Sequence, residues 1–354
     1  MKQATRYRWK TLFLAVLTSL LLLLLPGCHK HPSQNIKKAF YYWKTNFHLT
    51  AYEQSRLSSL NAQGLYVRFF DIIWDTQTNE PKPVAVSNIN KDRPGNYHYT
   101  PVLFITQEVL SKINDADLRD FVKNFTNLLY EKCIQSDINP TEIQIDCDWT
   151  RSTKQKYFKI LALCKTQSFF KDKQLSCTIR LHQIRYPQIS GIPPVDKGLL
   201  MCYNMGNLKL PGNNNSILDL QVTRKYLIHL KDYPLNLDIA FPIFSWSLLY
   251  DDKNRFTAIV RDLTQTDLRD SSIFEPIGQH LYRIKVDTLW HGYPLKNTSI
   301  IRHESCSPDQ LYQLAQLIQG KTHHTTTLIF YHLDSLTLTK YTNNELEKIY
   351  NTVL

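Results

Sequence analysis

From Gly64 onward, apolar residues recur along the chain with two alternating periods. A period of two marks strands and a period near 3.6 marks helices. In 142–149, Ile143, Ile145, Cys147 and Trp149 fall on one face, with Gln144, Asp146 and Asp148 on the other. In 175–183, Cys177, Ile179 and Leu181 alternate with Thr178, Arg180 and His182. Behind Asn114, the residues Leu118, Phe121, Val122, Phe125, Leu128 and Leu129 keep helical spacing. Ser307-Pro308-Asp309 supplies a cap, a first-turn proline and a first-turn acid for another helix, which Gly320 ends. The strand pattern recurs at 65–72, 101–107, 142–149, 175–183, 198–205, 237–246, 299–304 and 326–333. Strands separated mostly by helices predict an α/β fold, a (β/α)8 TIM-like barrel over 64–354. Residues 253–298 fit neither period well; a helical piece at 259–268 and a strand at 281–286 read as a small insertion before the seventh strand. A doubly wound open sheet is the alternative. With ten glycines in the chain and no Gly-rich loop after the first strand, a nucleotide-binding version is disfavoured.

The segment before the barrel reads differently. Lys2, Arg6, Arg8 and Lys10 precede an apolar run from Thr11 to Leu25, the pattern of a secretory signal over 1–27. Leu24-Leu25-Pro26-Gly27-Cys28 is similar to a bacterial lipobox, so Cys28 is the expected lipid-attachment residue and membrane tether. Residues 28–63 then read as a tether and an N-terminal packing segment, rich in aromatics at Phe40, Tyr41, Tyr42, Trp43 and Phe47.

Charge and cysteine content narrow the partners. The chain carries 42 Lys and Arg against 31 Asp and Glu; losing residues 1–27 removes four of the positive charges. The remaining mild excess suits anionic lipid or glycan, and no basic cluster argues for nucleic acid. Cys133, Cys147, Cys164, Cys177, Cys202 and Cys306 show no close-spaced framework and read as mostly buried thiols. No Cys or His spacing predicts a metal, and no cofactor motif is present.

In a barrel the chemistry gathers at the C-terminal ends of the strands. Polar residues predicted there are Asp146, Asp148, Arg180, His182, Tyr203, Asn204, Trp246, Arg302 and Glu304. Asp146 and Asp148, with Cα atoms about 6.6 Å apart along one strand, can push one carboxyl toward neutrality and leave its neighbour ionised. Glu304 is the candidate second carboxylate of a glycosidase-type pair. Tyr203, Asn204, Arg180, His182 and Arg302 are candidate substrate-binding groups, and Trp246 a sugar-stacking ring. The same charges also suit a satisfied interior ion network, because buried charges persist when paired.

Ile145-Asp146-Cys147-Asp148-Trp149-Thr150 resembles the Asp-x-x-Asp-x-Asp-x-Glu strand of family-18 chitinase-like barrels. Met201-Cys202-Tyr203-Asn204 resembles that family's Met-x-Tyr strand, and Trp246 falls near its platform tryptophan. The resemblance implies a glycan-binding cleft carried by Asp146, Asp148 and Tyr203. It also implies a missing acid, since Thr150 stands where the family's glutamate belongs, Ile143 where its first aspartate belongs, and Gln144 replaces a glycine. The chain is also similar to exported lipoproteins of Bacteroidetes-type bacteria, which implies a cell-envelope, periplasm-facing position. The expected function is therefore a lipid-anchored envelope protein with a glycoside-hydrolase-like, glycan-binding cleft, whether or not it turns substrate over. A non-catalytic, partner-binding envelope protein is the alternative.

Overall fold

In the computed structural model, residues 36–353 are described, apart from 213, 262, 323, 324 and 326. Cys28 and the predicted signal lie outside the described residues. Eight parallel strands form the barrel: β1 (Lys37–Tyr42), β2 (Gly64–Asp75), β3 (His98–Ile105), β4 (Glu142–Asp146), β5 (Gln174–Arg180), β6 (Lys197–Met201), β7 (Leu237–Pro242) and β8 (Thr327–Tyr331). Each pairs with the next in sequence, and β1 pairs with both β8 and β2. The sheet therefore closes as a (β/α)8 barrel and leaves no open doubly wound edge.

The closing strand, β1, lies inside the stretch read from sequence as tether and packing segment. Ala39, Phe40, Tyr41 and Tyr42 are all buried, so the strand is covered on both faces and shows no two-residue alternation. At the β1–β2 seam, a Cβ on Gly64 would come within 2.8 Å of the Ala39 Cβ, so the close approach requires glycine there.

The predicted strand at 299–304 is not a barrel strand. Ile300–Ser305 is the central strand of an inserted five-stranded antiparallel sheet between β7 and β8, ordered 256–260, 245–250, 300–305, 281–284, 274–276. The insertion is thus wider than 253–298. Its predicted helical piece begins as a strand, Phe256–Val260, whose β-branched and aromatic side chains favour the sheet. Leu249, Val260, Phe274, Ile284 and Ile301 give the insertion its own apolar core. Glu80–Val84 is an antiparallel hairpin partner of β2, with Pro81 and Pro83 on the sheet's outermost strand.

Helices cover the outside. Leu118–Gln135, here α1, buries Phe121, Val122, Phe125 and Leu129. Lys154–Thr166 is α2, and Pro308–Ile318 is α3 with a Ser307–Gln310 capping box. The six cysteines among the described residues are buried and unpaired, and burial pushes the Cys133 thiol up to about 12.

The barrel interior is polar where β4 faces inward. Lys197 on β6 bridges Glu142 at 2.7 Å and Asp238 at 2.6 Å. The Tyr66 hydroxyl donates to Glu142 at 3.1 Å and the Ser176 hydroxyl at 2.6 Å. Asp238 accepts from the Thr327 amide at 2.8 Å. Above this layer the Tyr41 hydroxyl donates to Gln144. Removing the cation would take the shared lysine away from both carboxylates in a dry interior. Lys197→Met is expected to cost about 3 to 5 kcal/mol of folding stability, read as the shift of the denaturation midpoint at neutral pH.

Candidate active site

Above the polar layer, the C-terminal ends of the strands form a mouth. Asp146 ends β4 and is buried, accepting a hydrogen bond from the Thr178 hydroxyl of β5. Loss of hydration raises its carboxyl to about 7, with the neighbouring Asp148 adding to the rise and Thr178 and Arg180 opposing it. Asp148, two residues on, is half-exposed and paired in a fork with Arg180, whose Nε and Nη2 donate to its two oxygens, the latter at 2.6 Å. Side by side, one carboxyl is biased toward its neutral form and the other is held by a guanidinium.

Tyr203 follows β6 and is buried, with no hydrogen-bond partner for its hydroxyl among the described residues. Asp146 and Arg180 are among the charged groups acting on it. Asn204 beside it takes a left-handed backbone, φ 57°, which asparagine tolerates. Its Oδ1 is also buried, with no hydrogen-bond partner among the described residues. His182 lies on the short helix Leu181–Arg185 and is exposed at the rim.

Aromatic rings line the same mouth in a chain of contacts. Trp43 lies 5.8 Å from Tyr41, Tyr41 lies 5.5 Å from Tyr331, and Tyr331 lies 5.5 Å from Tyr203. Phe244 lies 5.9 Å from Tyr203 and 5.4 Å from Trp246. Trp43, Tyr331 and Trp246 keep part of their surface open. Trp43 and Tyr331 were missed in the sequence. The first follows the unrecognised β1, and the second ends a β8 whose apolar run gives no sign of a site.

Glu304 and Arg302, expected on an inward barrel strand, are elsewhere. They are buried two residues apart in the inserted sheet and pair at 2.7 Å. Arg302 donates to the Leu210 carbonyl at 2.7 Å and the Asn207 carbonyl at 3.1 Å, with its guanidinium over the Tyr250 ring. Glu304 accepts from Trp246 Nε1 at 2.7 Å and from the Ser216 hydroxyl. Asn215 donates to the Ser305 carbonyl at 2.7 Å. These contacts fasten the loop after β6 to the insertion and orient Trp246, so the pair acts as a clasp in the cleft wall. The Thr150 hydroxyl is engaged with Ser152 and Thr153 in the turn that starts α2.

A cavity of about 810 Å³ on the barrel's flank, lined in part by Trp74, Pro81, Phe121 and Phe125, includes none of these residues. Among the described residues no group of His, Cys, Asp and Glu is arranged to hold a metal ion.

No protein-family model matches the sequence, and no curated protein does. Solved structures do match in fold. A chitinase from Chromobacterium violaceum aligns with TM-score 0.55 and 9% identity over 90% of this chain and 99% of its own. The Bacillus cereus spore cortex-lytic enzyme SleL aligns with TM-score 0.53 and 12% identity, covering 90% of this chain and 74% of that one. Catalytic domain 2 of an Ostrinia furnacalis Group II chitinase gives 0.52 and 12%, over 90% and 96%. At such identities the likeness is one of fold. The barrel is of the type found in chitinases.

Two outcomes follow from the site's electrostatics. Asp146 holds its proton to higher pH when folded than when unfolded, so the proton it retains stabilises the fold in acid and that contribution is lost as pH rises from about 4 through about 7. Asp146→Asn is therefore expected to raise the melting temperature relative to wild type by a margin that grows between pH 4 and pH 8; a margin independent of pH would contradict it. Arg302→Met leaves Glu304 buried without its cation and is expected to cost about 3 to 5 kcal/mol, read by chemical denaturation.

Proposed function

We propose that the barrel mouth binds a glycan, as part of a cell-envelope protein tethered through Cys28. The observation that carries this reading is the run of rings from Trp43 through Tyr331 to Trp246 beside Asp146 and Asp148. Flat apolar rings stack on the C–H faces of sugars, while carboxylates and an unpartnered tyrosine hydroxyl meet hydroxyl and amide groups. The fold likeness to enzymes named as chitinases and a spore cortex-lytic enzyme supports the same substrate class. Resemblance at Ile145–Thr150 and Met201–Asn204 assigns Asp146, Asp148 and Tyr203 to binding, with Arg180 holding Asp148.

Whether bound glycan is cleaved is a separate matter. Thr150 cannot protonate a leaving group, so the mechanism implied by the family resemblance lacks its acid. The same residue favours a second reading, in which the barrel is a non-catalytic platform for an envelope partner. The lipobox-like sequence ending at Cys28 supports the tether and a periplasm-facing position in either case.

The test is a panel of chitin, peptidoglycan and host-type oligosaccharides, scored for melting shift and product mass. Wild type is expected to shift with at least one. Trp246→Ala and Tyr331→Ala are each expected to weaken binding by roughly 5-fold or more, the loss of about 1 kcal/mol or more seen when a contact aromatic is truncated. Affinity unchanged in both variants and in Asp148→Asn would remove the glycan reading in favour of the partner platform.

A further inference from the structure

We propose that Asp71 on β2 forms a hydrolytic carboxyl pair with Asp146 across the mouth, placed to invert the anomeric centre of a bound glycan. The inference rests on the glycan-binding reading of the mouth.

Asp71 faces inward because of a bulge. Strand β2 pairs with β3 as Arg68↔Val102 and then as Phe70↔Leu103 and Asp71↔Phe104, so Phe69 is an extra residue. Without it, Arg68 inward would place Phe70 inward and Asp71 outward. The extra residue restores the inward direction at Asp71. Ser87 fixes the bulge: its amide donates to the Phe69 carbonyl at 2.7 Å and its hydroxyl to the Arg68 carbonyl.

The register then places the two carboxyls in one row. Asp71 pairs with Phe104 on β3, and Phe104 pairs with Asp146 on β4. In parallel strands paired residues point the same way, so Asp71, Phe104 and Asp146 all face the mouth. Two strand spacings separate the Cα atoms of the aspartates by roughly 9 to 10 Å. Inward side chains converge in a closed barrel, so the carboxyls lie closer than the Cα atoms; placement two strands apart favours the wider separation of an inverting pair, about 6.5 to 9.5 Å, over the roughly 5 to 5.5 Å of a retaining one. Phe104, partly open, forms the floor between them.

The surroundings differentiate the two. Burial raises the Asp71 carboxyl above its ordinary value, and the Arg68 guanidinium at 3.4 Å opposes that rise and favours the ionised form a base needs. One of the Asp71 oxygens is buried with no hydrogen-bond partner among the described residues. Asp146 has Thr178 on one oxygen and no cation in direct contact among the described residues, which suits it to carry the proton. Independently of the acids, the buried Tyr203 hydroxyl near Asp146 has no hydrogen-bond partner among the described residues and is available to a polar ligand.

In the reaction, Asp146 gives its proton to the glycosidic oxygen as the bond from that oxygen to the anomeric carbon breaks. A water forms the new bond to the same carbon from the opposite face and loses a proton to the Asp71 carboxylate. The products are an alcohol and a reducing sugar of inverted configuration. Asp146 ends ionised and Asp71 protonated, and exchange with solvent restores both. Glutamate at position 150 is not needed.

The full-length protein in mild detergent would be given chitin oligosaccharides and peptidoglycan glycan strands, with the anomer of the first-formed product followed by proton NMR. Melting shift would report binding alongside. Wild type is expected to release the inverted anomer. Asp71→Asn and Asp146→Asn are each expected to lower turnover by about 100-fold or more, and Asp71→Asn, which lies outside the binding set, is expected to retain the ligand-induced melting shift. The stereochemistry of the wild type needs no variant, so a folding defect in either mutant does not decide the matter. A retained anomer, full activity in a folded Asp71→Asn, or binding without any turnover would each overturn the pair and leave glycan binding standing. Absence of any binding would overturn both.

Discussion

The constraint on which the structure depends is the burial of one strand's polar face inside a closed barrel. Strand β4 turns Glu142, Gln144 and Asp146 inward, and the closed sheet denies all three free access to water. Each has to be satisfied by another strand. Tyr66 from β2, Ser176 from β5, Lys197 from β6 and Tyr41 from β1 do so at the lower two levels. At the top level the provision is incomplete, because Asp146 has a threonine where Glu142 has a lysine. The chemically unusual group is therefore the uppermost member of a ladder that is neutralised below it.

The mouth has two kinds of wall. On the β2–β5 side, strand ends and one bulge place the carboxyls and Arg180 on the barrel itself. On the other side, the segments that follow β6 and β7 carry Tyr203 and Phe244, and the buried ion pair of the inserted sheet orients Trp246. Rigid strand ends suit groups whose spacing matters for proton transfer, while a sheet inserted between β7 and β8 can present aromatic area without disturbing the barrel.

Much of this was legible in the sequence. The inward face of β4 follows from alternation alone, and strands β2 to β8 overlap the stretches read as strands, with ends displaced by a few residues. The failures have physical causes. Phe40, Tyr41 and Tyr42 are adjacent and all buried, so β1 carries no period, and its place was given to 299–304, which is a strand of the inserted antiparallel sheet. That exchange put Arg302 and Glu304 inside the barrel on paper, whereas they lie in the insertion. Asp71 was invisible because one extra residue inverts the parity of everything after it, and no periodicity count detects a bulge. Asp146, Asp148, Tyr203 and Trp246 do meet at one end of the molecule, where the strand order places them.

The clasp formed by Arg302 and Glu304 joins parts of the chain far apart in sequence, with Arg302 reaching 92 residues back to Leu210. Both ends of the contact are specific: the arginine reads two backbone carbonyls of the loop, and the glutamate reads a serine of the same loop and a tryptophan of the insertion. The loop's length and path are thereby matched to the inserted sheet and not to the barrel that carries them both. Exchanging either segment alone between related barrels would strand a buried charge. Loop and insertion form one inheritable cassette, and the cleft wall can diversify only when the two change together.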